Sequence, residues 1–349
     1  MTRKKLSFVF IVGCLLHLGF GIEARGQVAN PSQGSGANWS PLVVPNTKDV
    51  AQLETFIDST KKRQPIKPEQ YIEMQRALRE AAKRILETMP ERKSALFKKA
   101  EGEFVSASVM LLGNDGPDAQ RTTFARFQDY LQKREKIEFI DIQMAVLTGQ
   151  NLEQIADYGL AKEAYNSFAE IFRQKKDPGL ADVISLLEAN ALRLDLPGKE
   201  FSLVGKDFAG DKFDIKSLKG KFVLVYFWSS TAQACEQEHP YMYAVYNKYK
   251  DRGFEIVGIS LDEKKDDAQA FLKRLEIPWI NLWESRKNGV SKVMETYGVS
   301  AIPTLFLIDK EGKVITIEAR GLLLGKALER LIPDAATTDE TKTTREPKP

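Results

Sequence analysis

The stretch that most constrains this chain is Phe222-Val223-Leu224-Val225-Tyr226-Phe227-Trp228. An unbroken run of aliphatic and aromatic residues fits a strand covered on both faces, which belongs in the middle of a sheet. Helix-like and strand-like segments alternate after it. A helix is expected from about Ala234 to Arg252, a strand over Phe254–Leu261, a helix over Asp266–Leu275 and a strand over Trp279–Trp283. A helix over Ser291–Tyr297 comes next, then strands over Thr304–Asp309 and Val314–Ala319 around a Lys310-Glu311-Gly312-Lys313 turn, then a helix over Lys326–Ile332. Ahead of the apolar run, Glu200–Val204 and Phe213–Ile215 read as a hairpin about Lys206–Asp211. Such βαβ units, ending in a hairpin and a helix, imply a central mixed sheet with flanking helices, an α/β domain over residues 195–332.

Residues 47–194 carry a different period. Tyr71, Met74, Leu78, Ala81, Ile85 and Met89 recur at three- and four-residue steps, and Pro90 closes that helix. Similar segments cover Arg92–Leu112, Pro117–Leu131, Ile137–Gly149, Leu152–Gln174 and Leu180–Leu194. Strand-like alternation is nearly absent, so an all-α domain of about six helices is expected to precede the α/β domain.

The ends read as neither domain. Arg3, Lys4 and Lys5 precede an apolar run from Leu6 to Phe20, and Ala24 is a plausible cleavage point, the layout of a secretory signal over residues 1–24. The run is short for a membrane span. Ile11-Val12-Gly13-Cys14 resembles a lipoprotein box, although Leu15–Phe20 stays apolar where lipoproteins turn polar. The protein is thus expected to be exported, periplasmic or secreted, with membrane attachment only through an uncleaved or lipidated N-terminus. Residues 25–46, rich in Ser, Gly, Asn and Pro, read as a flexible leader, and residues 333–349 as a disordered tail.

Charge and cysteine usage narrow the function. The formal net charge of +3 falls to +1 once Arg3, Lys4, Lys5 and Glu23 leave with the signal, which gives no reason to propose nucleic acid as a partner. The chain has two cysteines, Cys14 and Cys235, and Cys14 leaves too. An exported chain with one thiol can form no internal disulfide.

Several segments carry a family likeness. Leu218-Lys219-Gly220-Lys221 runs into the apolar strand, Glu238 and Pro240 follow Cys235, Phe254–Asp262 reads Phe-Glu-Ile-Val-Gly-Ile-Ser-Leu-Asp, and Tyr297-Gly298-Val299 leads to Ile302-Pro303-Thr304. In this order they resemble the TlpA/ResA-type thioredoxins, or redoxins, over about 140 residues. The resemblance implies a thioredoxin-like fold, a cis bond at Ile302–Pro303, and a groove for extended polypeptide that takes in Ile302, Pro303 and Trp228.

The family signature, Trp-Cys-x-x-Cys, becomes Thr231-Ala232-Gln233-Ala234-Cys235. The first cysteine of the pair is the low-pKa nucleophile and the second resolves the mixed disulfide. Ala232 has no atom that could attack, and the family's buried acid falls at Tyr226. Two readings stand open. In one, the AxxC sequence marks a non-catalytic module that binds or scaffolds extended or partly folded polypeptide, with Cys235 an inert core thiol. In the other, Cys235 is the centre of a monothiol oxidoreductase or peroxiredoxin-like enzyme, activated by His239 four residues on and working with another redox protein. Neither reading calls for a cofactor, and two ligands do not make a metal site.

Overall fold

The computed structural model describes residues 39–284 and 292–333. These divide into two compact units, with the boundary between Ala191 and Leu192. The expected signal, residues 25–38 of the expected leader, Ser291 and residues 334–349 of the expected tail lie outside the described residues.

The first unit is helical. Its elements are α1 (Val50–Lys61), α2 (Pro68–Thr88), α3 (Ala95–Met110), α4 (Pro117–Lys133), α5 (Phe139–Gln154), α6 (Tyr158–Gln174) and α7 (Ala181–Leu194). Seven helices stand among the described residues where about six were expected. The extra one is α1, which has only two buried aliphatic side chains, Leu53 and Ile57, and is started by the Asp49 carboxylate accepting from the Ala51 N–H at 3.0 Å. Met74, Leu78, Ala81 and Ile85 of α2 meet Leu53 and Ile57 in one core. A second cluster sets Phe168 edge-on to Phe124 and tilted against Phe127, at ring separations of 5.7 and 5.0 Å. Gly149 of α5 lies against the Tyr165 ring so closely that a Cβ there would sit 2.2 Å from it.

The described part of the expected leader packs against the helices. Glu73 of α2 accepts from the Trp39 indole N–H at 2.8 Å and from the Leu42 N–H at 2.7 Å, while Arg84 donates to the Pro45 carbonyl at 2.7 Å. Polar composition hid three apolar anchors, Trp39, Leu42 and Val44, that pack on the α1–α2 core.

The second unit holds β1 (Val204–Lys206), β2 (Lys212–Asp214), β3 (Phe222–Trp228), α8 (Gln233–Tyr249), β4 (Phe254–Ser260), α9 (Lys265–Arg274), β5 (Ile280–Trp283), α10 (Lys292–Tyr297), β6 (Thr304–Ile308), β7 (Val314–Thr316) and α11 (Leu322–Leu331). The main sheet runs β5-β4-β3-β6-β7, with β3, β4 and β5 parallel and β6 and β7 antiparallel. This is a thioredoxin-like mixed sheet with flanking helices. β3 is its centre, and every residue in it is buried. Leu224, Tyr226 and Trp228 face a core with Cys235, Met242 and Val245 of α8, Phe271 of α9 and Leu324 and Leu328 of α11. Phe227 faces the other way, 5.6 Å from Phe306, itself 6.2 Å from Phe201.

The hairpin begins later than expected, at Val204 rather than Glu200. Phe201 and Leu203 turn into the core, while the backbone of 198–201 bonds to the 312–314 turn through Gly198 to Val314 (2.8 Å) and Phe201 to Gly312 (2.9 Å). β7 stops at Thr316 after a register shift at Leu307/Ile308. α11 starts four residues before the expected Lys326, because Leu322 and Leu323 are exposed helical positions that read as loop. No helix among the described residues is long and apolar enough to cross a membrane.

Candidate functional site

β3 ends at Trp228, and Ser229-Ser230-Thr231 carry the chain across to α8. In a parallel pair the carboxyl ends of neighbouring strands meet, so the residues after β3 face those after β4. Here that brings Asp262 under the loop. Its carboxylate is 2% exposed and accepts from Ser229 Oγ at 2.7 Å, Ser230 Oγ at 2.8 Å, the Ser230 N–H at 3.0 Å and Ser260 Oγ at 2.9 Å. The Asp262 carbonyl accepts from the Trp283 indole at 3.1 Å. Reading along the chain did not find this cage. Serines at two successive strand ends, with an acid two residues after the second, were the available signal.

α8 then opens on Ala232, half-buried and without a side-chain cap. One turn further in, Cys235 is fully buried. Burial pushes the Cys235 thiol up, against the opposing pull of the Ser229 backbone N–H and the Tyr226 hydroxyl. Tyr226, 1% exposed, donates its hydroxyl hydrogen to the Cys235 carbonyl at 3.1 Å, and burial raises its own pKa, so it stays a neutral phenol. A thiol in this setting is protonated near neutral pH and shielded from reagents. Glu238, on the next turn of α8, forms an ion pair with Arg320 just before α11.

Opposite the end of β3, Thr304 of β6 pairs with Phe227. Just before it, the Ile302–Pro303 bond is cis. Ala301 is exposed, Ile302 and Pro303 are half-buried, and Ile302, like Ala232, packs against the core that contains Cys235. The N–H and C=O of Ile302 have no hydrogen-bond partner among the described residues.

A family model described as thioredoxin-like matches residues 220–314. The thiol-disulfide oxidoreductase ResA of Bacillus thuringiensis subsp. konkukian is 38% identical over 136 residues, covering 39% of this chain and 76% of the relative. ResA of Bacillus subtilis is 32% identical over 133 residues, 38% of this chain and 69% of the relative. The chain belongs to the TlpA/ResA-like redoxin family. Among solved structures, the thioredoxin domain of a thiol-disulfide oxidoreductase from Bacteroides vulgatus shares 32% identity, covering 39% of this chain and 97% of that one, with a TM-score of 0.37.

Two site expectations for this redoxin need correction. Trp228 lines no groove. It is 1% exposed, stacked 5.0 Å from Phe271, and its indole N–H bonds Asn281 Oδ1 at 3.2 Å across Gly258, where a Cβ would strike both partners. His239 does not pair with Cys235. Its ring stacks on Trp279 at 5.5 Å and 11°, and burial lowers its pKa to about 4, leaving a neutral imidazole. The four-residue spacing set the two side chains on one helix, but the imidazole is claimed by aromatic neighbours from β3, α9 and the segment before β5. Among the described residues, no three His, Cys, Asp or Glu side chains converge to hold a metal ion.

Proposed function

We propose that this redoxin is an exported, non-catalytic module that binds or scaffolds extended polypeptide, its Cys-x-x-Cys pair reduced to Ala232-x-x-Cys235. The observation that carries the reading is Ala232 at the start of α8. Disulfide exchange begins with a thiolate displacing one sulfur of a substrate disulfide, and the mixed disulfide is then resolved by a second thiol. Position 232 supplies no sulfur. Cys235 is too buried to take over the attack, and the phenol at 226 is too weak an acid to serve its proton transfer at neutral pH.

What remains is an edge suited to main-chain recognition. The N–H and C=O of Ile302, without a hydrogen-bond partner among the described residues, offer one donor and one acceptor, the pattern by which an extended peptide adds to a strand edge. The basic start and apolar run of residues 3–20 support export, where extended or partly folded chains and other redox proteins are the available partners.

The test compares the wild-type chain with Cys235→Ala for binding of a reduced, fluorescently labelled unfolded polypeptide, and for reduction of insulin by dithiothreitol. Equal binding by both proteins and no acceleration of insulin reduction are expected. Turnover by the wild type that disappears in Cys235→Ala would overturn the reading in favour of monothiol catalysis.

A further inference from the structure

α8 carries a second titratable group that binding at the groove does not use. His239 is 7% exposed, and its Nε2 is buried without a hydrogen-bond partner. Three rings from three places in the unit enclose it. Trp279, just before β5, stacks on it at 5.5 Å. Phe271 of α9 stands edge-on at 5.5 Å, and Tyr226 of β3 edge-on at 6.1 Å. The Trp279 indole N–H is also buried without a partner, and Tyr246 of α8 packs edge-on against that indole. The box therefore offers π faces and ring edges to the imidazole, and no acceptor for a second N–H.

The charged groups nearby do not make up for this. Glu236 of α8 and Arg274 of α9 face the ring from the surface, joined to each other by bonds of 2.7 and 3.1 Å. They act on an imidazolium with opposite signs. The other titratable neighbours, Cys235 and Tyr246 on α8 and Tyr226 on β3, are all held neutral at physiological pH, each pushed upward chiefly by burial. Burial is left as the deciding influence on His239.

We propose that His239 is an acid-operated latch at the seam between α8, α9 and Trp279: neutral, it fills the aromatic box, and protonated, it leaves the box and loosens α8 from α9. An imidazolium has two N–H donors and a full charge. Stacking on the Trp279 face returns part of the lost hydration as a cation–π contact. It gives the Nε2 donor no acceptor, and a desolvated charge with an unsatisfied donor costs more than that contact returns. The helical ladder is also interrupted where the ring must leave. Pro240 follows His239 directly, and without an N–H it cannot complete the helical ladder.

The sign of the pH dependence follows from the depressed pKa. The folded value, about 4, lies below the ordinary 6.5, so the open state binds more protons between these two pH values. The closed seam is at full stability above about pH 6.5 and loses it as pH falls toward 4. If α8 also borders a polypeptide groove, which rests on the function proposed above, a bound polypeptide would be released over the same window.

The experiment follows tryptophan emission and near-UV circular dichroism of the full chain from pH 7.5 to 4, for the wild type and for His239→Gln. The wild type is expected to show a red shift and loss of near-UV signal with a midpoint between pH 4 and 6.5, and the variant to stay flat across that range. A flat wild-type profile, or the same midpoint in both proteins, overturns the latch. If His239→Gln does not fold at pH 7.5, the wild-type imidazole Cε1–H resonance, followed by NMR, decides. Titration below 6.5 in step with the emission change supports the latch, and titration near 6.5 with constant emission overturns it. Polypeptide binding absent already at pH 7.5, where the latch is closed, counts against the groove and leaves the latch standing.

Discussion

The Tyr226 hydroxyl donates to the main-chain carbonyl of Cys235 at 3.1 Å, tying the centre of the sheet to the first turn of α8. The bond is buried at both ends, so water cannot replace the donor that is lost. Tyr226→Phe is expected to cost about 1–2 kcal/mol, read from the urea midpoint at constant slope. An unchanged midpoint would mean that the phenol is held there by packing alone.

The same burial sets the reactivity of Cys235. With the thiol fully buried and its pKa raised, labelling by a thiol reagent at pH 7 should be slow in the folded chain and complete only after denaturation. Because the raised pKa keeps the thiol protonated, the folded-state rate should climb only in alkaline solution. Fast labelling below pH 7 would contradict this and favour an activated thiolate.

Ala232→Cys puts a second sulfur at the start of α8, at the spacing used by active redoxins. The oxidised variant is expected to titrate with no free thiol at residues 232 and 235 and to gain measurable insulin reduction. Tyr226 is a poor proton acceptor, so the gain should stay well below that of a redoxin with a buried acid. Two free thiols under oxidising conditions would show that α8 no longer holds the two positions within bonding reach.

The Asp262 carboxylate accepts from four donors of residues 229, 230 and 260. Asp262→Ala leaves them facing an apolar methyl and is expected to destabilise the second unit by about 3 kcal/mol. Polypeptide binding should weaken with it, because the loop entering α8 loses its anchor. Full stability in this variant would remove the carboxylate from any positioning role.

In the helical unit, two effects of opposite sign compete at Gly149. Alanine in mid-helix gains about 1 kcal/mol in propensity over glycine. Its Cβ would lie 2.2 Å from the ring of Tyr165, which is fully buried and hydrogen-bonded through its hydroxyl to Glu153 at 2.7 Å. A ring so confined cannot step aside, and overpacking costs about 1–3 kcal/mol. Gly149→Ala is thus expected to lower the melting temperature, and a rise would mean that α5 and α6 can separate cheaply.

How much of this was legible along the chain depended on whether the deciding contact was local. β3 could be read outright, since a strand buried on both faces leaves no position for a polar side chain. The helix pattern of α2 was equally plain. α1 was not, with only two buried aliphatic side chains and an aspartate cap to mark it. The packing of Trp39 and Leu42 depends on a carboxylate more than thirty residues away at Glu73. The site divides the same way. Ala232 and Cys235 declare themselves by spacing, whereas the cage around Asp262 and the enclosure of His239 exist only once strand ends and helices from distant segments meet.

The alternation along β3 has a consequence for how this domain can change over time. Leu224, Tyr226 and Trp228 serve one core, and Phe227 the other. β4 pairs with β3 from Phe222 to Trp228 and β6 from Val223 to Phe227, and together they fix its register. One residue gained or lost here would send each ring to the opposite core and carry the loop to α8 out of line with Asp262. Insertions and deletions should therefore collect in the turns at 207–211 and 309–313, while the length from Phe222 to Gln233 stays constant even in relatives whose cysteines have come and gone.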